Sequence, residues 1–167
     1  VERVARSVTV HQLTLVDFTA DELTLTLCCS KGYFVRSLAQ EKSLELSVFF
    51  ESSIPSLPMD PVRVRQVIFN LVTNAFRYTE RGGIAVRARR DGDEVLVSVQ
   101  DSGCGIPEAS LQRIFDPFFT TKTEGTGLGL TMARRVVSDH GGAILVESGE
   151  GKGSTFRIIL PLRSEEQ

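Results

Sequence analysis

Three short stretches of this 167-residue chain carry groups suited to a charged ligand. The first, TEGTGLGLTMARR (123–135), sets Gly125, Gly127 and Gly129 at alternate positions directly before a helix-like pattern. Glycines let the backbone approach a ligand closely. The first turn of the helix behind them offers unpaired N–H groups and a positive dipole end to an anion. Taken alone, the pattern equally describes a flexible joint. The second stretch, DSGCGIP (101–107), places Asp101 at the end of an alternating run, with Gly103 and Gly105 just behind it. A carboxylate there can accept a hydrogen bond from an exocyclic amine and so choose adenine over guanine. An Asx turn leaving a strand is the plainer reading. The third holds Asn70 and Asn74, one helical turn apart. Their amide oxygens suit a hard cation such as Mg²⁺, which takes few protein ligands and leans on phosphates and water. Elsewhere, such asparagines are solvated or cap helices. Between the glycine clusters lies FDPFFTTKTE (115–124), both aromatic-rich and loop-like. Phe115, Phe118 and Phe119 need burial, so this segment is expected to close over a ligand as a lid.

Positioning these groups takes a definite set of elements. Asp60-Pro61 opens a helix, with Asp as N-cap and Pro at the first helical position. From 61 to about 79, Arg63, Gln66, Asn70, Asn74 and Arg77 fall within an arc of about 80°, while Val67, Ile68, Leu71, Val72, Ala75 and Phe76 cover much of the remainder. A mostly apolar helix with a narrow polar stripe is a core helix facing a wet site. Two alternating strands follow, GIAVRARR and EVLVSVQD, joined through Asp91-Gly92, a hairpin signal. After the loop at 102–124 come a helix, GLTMARRVVSDH, a stop at Gly141-Gly142, and a last hairpin of AILVES and STFRIILPL. Upstream, VHQLTLVDF and LTLTLCC read as two strands, GYFVRSLAQEKS as a short helix and LELSVFFES as a strand. Helices and mainly antiparallel strands in this order make an α+β sandwich, one sheet under a helical layer.

Composition limits the alternatives. Net charge is −2, which gives no electrostatic footprint for nucleic acid or an anionic membrane. No apolar run is long enough to cross a bilayer, and VERVARSVTV has no signal-peptide profile. Cys28, Cys29 and Cys104 show no metal-ligand spacing, which points to free thiols in a reducing, cytoplasmic setting.

Four ordered boxes, NLVTNAFRYT (70–79), DSGCGIP (101–107), FDPFF (115–119) and GTGLGL (125–130), with the closing GGAILVESGEGKGSTFRIILP (141–161), resemble the ATP-binding catalytic domain of bacterial sensor histidine kinases. Their superfamily, with its Bergerat-type two-layer sandwich, also includes gyrase, the mismatch-repair ATPase and the large heat-shock chaperone. The resemblance implies ATP and Mg²⁺ as ligands, with Asn74 on the metal and Asn70 supporting it. It implies Arg77 and Lys122 as phosphate cations and Tyr78 beside the nucleotide. Asp101 should read the adenine amine, helped by Thr155 and the backbone around Gly103, Gly105 and Ile106. Gly125, Thr126, Gly127, Leu128, Gly129 and Leu130 should wrap the triphosphate. Hydrolysing members of the superfamily carry a glutamate at the position of Asn70. An amide cannot act as that base, so the γ-phosphate should be kept for a histidine.

The partners implied are a dimerisation and phosphoacceptor domain and, after it, a response regulator. Neither His11 nor His140 stands in an H-E-x-x-x-P-like setting, so no autophosphorylation of this chain alone is expected. Residues 1–38 do not fit that family. RSVTVHQLTLVDF and LTLTLCCSKGYFVRSLA are similar to a segment of the bacterial tRNA pseudouridine synthases that modify the T-loop. Arg36 matches an active-site arginine there, Phe34 stands where those enzymes carry a tyrosine, and their catalytic aspartate has no counterpart. The two resemblances describe a composite chain: a structural strand–strand–helix fragment at 1–38, a kinase ATP domain at 39–165, and a tail at 166–167. An engineered chimera accounts for this most simply, a natural fusion or diverged N-terminus being the alternatives. A scaffold with a closed nucleotide site, or an RNA-binding protein, are the competing functional readings.

Overall fold

The computed structural model describes residues 10–19, 22–29, 43–50, 57, 59–121 and 125–162. Near the N-terminus, β1 (Val10–Thr19) and β2 (Glu22–Cys29) pair antiparallel as a separate two-stranded sheet. These match the two strands expected there. The helix expected at GYFVRSLAQEKS lies, but for Ser43, outside the described residues, as do Phe34, Arg36 and the tail.

The main sheet has five strands: β3 (Glu45–Phe50), β4 (Gly83–Asp91), β5 (Glu94–Asp101), β6 (Ala143–Gly149) and β7 (Gly153–Pro161). Their order is β3-β4-β5-β7-β6, with β3 and β4 parallel and the other neighbours antiparallel. The β4–β5 hairpin turns one residue later than Asp91-Gly92 implied. Asp91 pairs with Glu94, so Gly92 and Asp93 are the central residues. Gly92 takes φ 61°, the positive value that favours glycine at the first position of such a turn.

Three helices accompany the sheet: α1 (Pro61–Tyr78), α2 (Glu108–Leu111) and α3 (Gly129–Asp139). The start of α1 is held as its sequence requires. The Asp60 carboxylate accepts the N–H groups of Val62 at 2.9 Å and Arg63 at 3.2 Å, and Pro61 needs no partner at N1. All six apolar residues assigned to its inner side are buried. Each removes enough apolar surface from water to stabilise the fold by about 1.5–3 kcal/mol for a Val, Leu, Ile or Phe side chain.

Opposite α1, period-two alternation decides what each strand contributes. Ile84, Val86 and Ala88 on β4, Val95, Val97 and Val99 on β5, and Phe156, Ile158 and Leu160 on β7 form one continuous core. The register aligns Val95 with Leu160, Val97 with Ile158 and Val99 with Phe156. One further step along the same face reaches Asp101 and Ser154, which also pair. Alternation thus carries two polar residues to the end of an apolar row, and both are buried.

α3 packs alongside α1. His140, at its C-terminal end, joins the two helices: its Nδ1 meets the Val136 carbonyl at 2.7 Å, and its Nε2 accepts the Asp60 N–H at 3.0 Å. This geometry requires a neutral ring with the proton on Nδ1. Both nitrogens are engaged within the fold.

Candidate nucleotide site

A cavity of about 540 Å³ opens where α1, the β5–α2 turn, the F-rich segment and the start of α3 converge. It is bounded by Asn70, Asn74, Arg77 and Tyr78 of α1 and by Asp101, Gly105 and Ile106 after β5. Gly125, Thr126, Gly127, Gly129 and Leu130 close the remaining side. The size falls within the range of small-molecule sites, about 300–1,000 Å³. The cavity is open, which removes one support from the closed-scaffold reading.

Asp101 is the most constrained group in it. Its Oδ1 accepts the Gly103 N–H at 2.9 Å. Burial pushes its carboxyl above the ordinary carboxylate value, and hydrogen bonds from the backbone at Gly103 and Ser154 pull partly the other way. A buried carboxylate beside a cavity costs free energy until a donor from a ligand reaches it. The turn behind it is held by close approach. A Cβ on Gly103 would lie 2.4 Å from the Tyr78 carbonyl oxygen, and one on Gly105 would fall on the carbonyl oxygen of Gly149. Cys104 donates its N–H to Tyr78 at 3.2 Å and accepts from Gly151 at 2.8 Å.

The glycines before α3 differ in role. Gly127 sits at φ 65°, and a Cβ there would come within 2.4 Å of the Phe118 backbone. It accepts the Phe118 N–H at 3.1 Å, tying the F-rich segment to the helix start. The protein itself therefore requires Gly127. Among the described residues, a Cβ on Gly129 would meet nothing closer than Asn70 Cγ at 3.9 Å. Its open side belongs to the cavity, and no side chain caps α3 at Leu128, so its first amides have no side-chain acceptor there.

Asn70 donates through Nδ2 to the Gly129 carbonyl at 3.3 Å, and its Oδ1 lies 3.5 Å from Gln66 Nε2. Among the described residues no group of three or more His, Cys, Asp or Glu could form a metal cage. The donor set consists of neutral amide oxygens, which suits a Mg²⁺ that arrives with phosphate and retains water.

Three expected site residues fall outside the lining. Thr155 is one residue out of phase. On β7 it pairs with Gln100 and Glu147, among side chains on the outer sheet face, and Ser154 and Phe156 line the cavity in its place. A single step along a strand reverses the face. Gly103 backs the turn from behind, and Leu128 is 37% exposed. Lys122 lies outside the described residues. Sequence reasoning passed over Ser154, Cys104 and Ile114, all of which line the cavity. Ser154 had a signal, its parity with Phe156 and Ile158. Phe119, expected to be covered, lines the cavity and lies under the Arg113 guanidinium at 4.7 Å.

Residues 59–164 match the family described as histidine kinase-, DNA gyrase B-, and HSP90-like ATPase. The chain belongs to this family, as the ATP-binding catalytic domain of a two-component sensor histidine kinase. The sensor histidine kinase ZraS of Escherichia coli K12 is 45% identical over 125 residues, covering 74% of this chain and 27% of ZraS. The nucleotide-free catalytic domain of the histidine kinase ThkA superposes with a TM-score of 0.70 at 36% identity, covering 79% of this chain and 88% of that domain. Full-length ShkA in complex with AMPPNP gives a TM-score of 0.68 at 34% identity, covering 78% of this chain and 28% of ShkA. The chain thus spans less than a third of the full-length kinases it matches. The family match begins at residue 59 and lends no support to a synthase fragment at 1–38.

Proposed function

We propose that this domain holds ATP·Mg²⁺ in the cavity and presents the γ-phosphate to a histidine on a separate dimerisation domain, from which it passes to a response regulator. The observation that carries the reading is the convergence of a buried carboxylate and an uncrowded glycine before a helix on one cavity. Asp101 accepts from the adenine amine. Ser154, not Thr155, stands beside it on the cavity face. Phosphates lie against the α3 N-terminus and the backbone of 125–130, with Arg77 and Lys122 supplying positive charge. Asn74, supported by Asn70, holds the metal, which neutralises phosphate charge when bound.

The chain's own contribution is positioning and electrostatics, because Asn70 cannot activate water as a base. Transfer thus waits for a histidine from outside the cavity. His140 does not serve, since both its nitrogens are engaged between helices. The setting is cytoplasmic. Among the described residues, no helix is long and apolar enough to cross a membrane. Residues 1–38 form a structural fragment of separate origin, joined to the kinase domain near 38–42.

Calorimetric titration with ADP, with and without Mg²⁺, tests the function. Binding that tightens when Mg²⁺ is added supports it. Folded protein that ignores millimolar ADP in both conditions contradicts it.

A further inference from the structure

We propose that Thr131, which does not line the cavity, is the positioning residue for its phosphate end; this rests on the nucleotide reading above. Thr131 lies in the first turn of α3. Its hydroxyl donates to the Phe115 carbonyl at 3.1 Å, a partner 16 residues away in sequence. The Gly127 carbonyl lies 3.4 Å from the same oxygen. A threonine hydroxyl has one proton, so it cannot serve both carbonyls at full strength. Gly127 already receives the Phe118 N–H at 3.1 Å, so the nearer Phe115 carbonyl is the one that depends on Thr131. Arg134, three residues on and so on the same helix face, sets its guanidinium 5.8 Å from the centre of the Phe115 ring. α3 thus grips Phe115 by its carbonyl and by its ring.

The segment held in this way is strained. Phe118 takes φ 65°, a left-handed value that is costly for a residue with a bulky side chain. Its ring is 74% exposed, so burial of the ring does not keep it there. Such a conformation persists only where the surrounding structure fixes the chain around it. Two hydrogen bonds do so here. The Phe118 N–H bond to Gly127 fixes the residue itself, and Thr131 fixes the chain three residues earlier. Directly beyond Phe118, residues Phe119, Thr120 and Thr121 line the cavity, as does Gly127. The wall around Asp101 has supports of its own: the Gly103 N–H bonds to the Asp101 carboxylate and the Cys104 N–H to the Tyr78 carbonyl. Release of Phe115 would therefore let Phe118 relax and shift the lining at the end assigned to phosphate. The end assigned to adenine would stay in place.

The test compares ADP with adenosine, which lacks the phosphates, in the parent, Thr131→Val and Thr131→Ser. Amide shift titrations read both affinities. Thr131→Val keeps the branched side chain and removes the hydroxyl. It should weaken ADP binding about fivefold to tenfold, the scale of one hydrogen bond, and leave adenosine within about twofold of the parent. Thr131→Ser, which keeps the donor, should restore ADP affinity. Equal loss for both ligands, or parental ADP affinity in Thr131→Val, overturns the proposal. So does a Thr131→Ser protein that binds ADP as weakly as Thr131→Val. Should Thr131→Val not fold, Thr131→Ala is judged by the same ratio. A parent that binds neither ligand, or binds ADP no more tightly than adenosine, contradicts the nucleotide-site reading instead, so the two failures are distinguishable.

Discussion

Asp101 is a buried carboxyl at the edge of a cavity, held there at a cost to the fold. Its carboxyl is raised by burial, so the folded state holds that proton more tightly than the unfolded chain. Stability from this group is therefore present at low pH and falls as pH rises from the ordinary carboxylate value through the raised one. Asp101→Asn should remove the slope. In urea titrations without nucleotide, the variant should gain on the parent as pH rises above the ordinary carboxylate range; parallel curves would contradict the assignment. The same substitution should weaken ADP binding and relax discrimination against guanine nucleotides, which competition titrations check. His140 sets the opposite case, a histidine that serves the fold. His140→Ala strips the Asp60 amide of its acceptor and should cost about 1 kcal/mol of unfolding free energy, leaving ADP affinity unchanged.

At the scale of elements, the start of α3 separates packing from binding. Gly127→Ala places a Cβ against the Phe118 backbone at positive φ and should destabilise the domain by about 1–3 kcal/mol. Gly129→Ala meets nothing and replaces a helical glycine, so it should raise stability by about 0.5–1 kcal/mol. It should nevertheless lower nucleotide affinity, since the new methyl occupies the space assigned to phosphate. Thermal unfolding and ADP titration of both variants check this pair; a Gly129→Ala protein with parental affinity would remove the cradle. The elements themselves were unequally legible in the sequence. α1 declares itself through Asp60-Pro61 and a clean apolar face, because local capping and helical periodicity need no knowledge of neighbours. The hairpins were legible for the same reason. Ser154 was legible only in part: its parity with Phe156 and Ile158 puts it on the core face, but its place beside Asp101 depends on the register between β5 and β7. The parallel pairing of β3 with β4 was equally hidden, since alternation in ELSVFF names neither partner nor direction.

For the whole molecule, the described residues that line the cavity come from α1, α3, the ends of β5 and β7, and the loops at 104–107, 114–121 and 125–127. Removing residues 1–38 should therefore leave ADP affinity unchanged wherever the remainder stays folded. Loss of binding in folded, shortened protein would show that the N-terminal segment serves the site. The chain alone should take no label from radioactive ATP; when a phosphoacceptor domain is added, that domain should take the label.

The most direct measurement is an amide shift map of the ¹⁵N-labelled protein during titration with Mg·ADP. The account predicts perturbations at Asn74, Gly103, Gly105, Gly127 and Gly129, on both walls of one cleft. Perturbations confined to the outer sheet face, or none at saturating nucleotide, would contradict it.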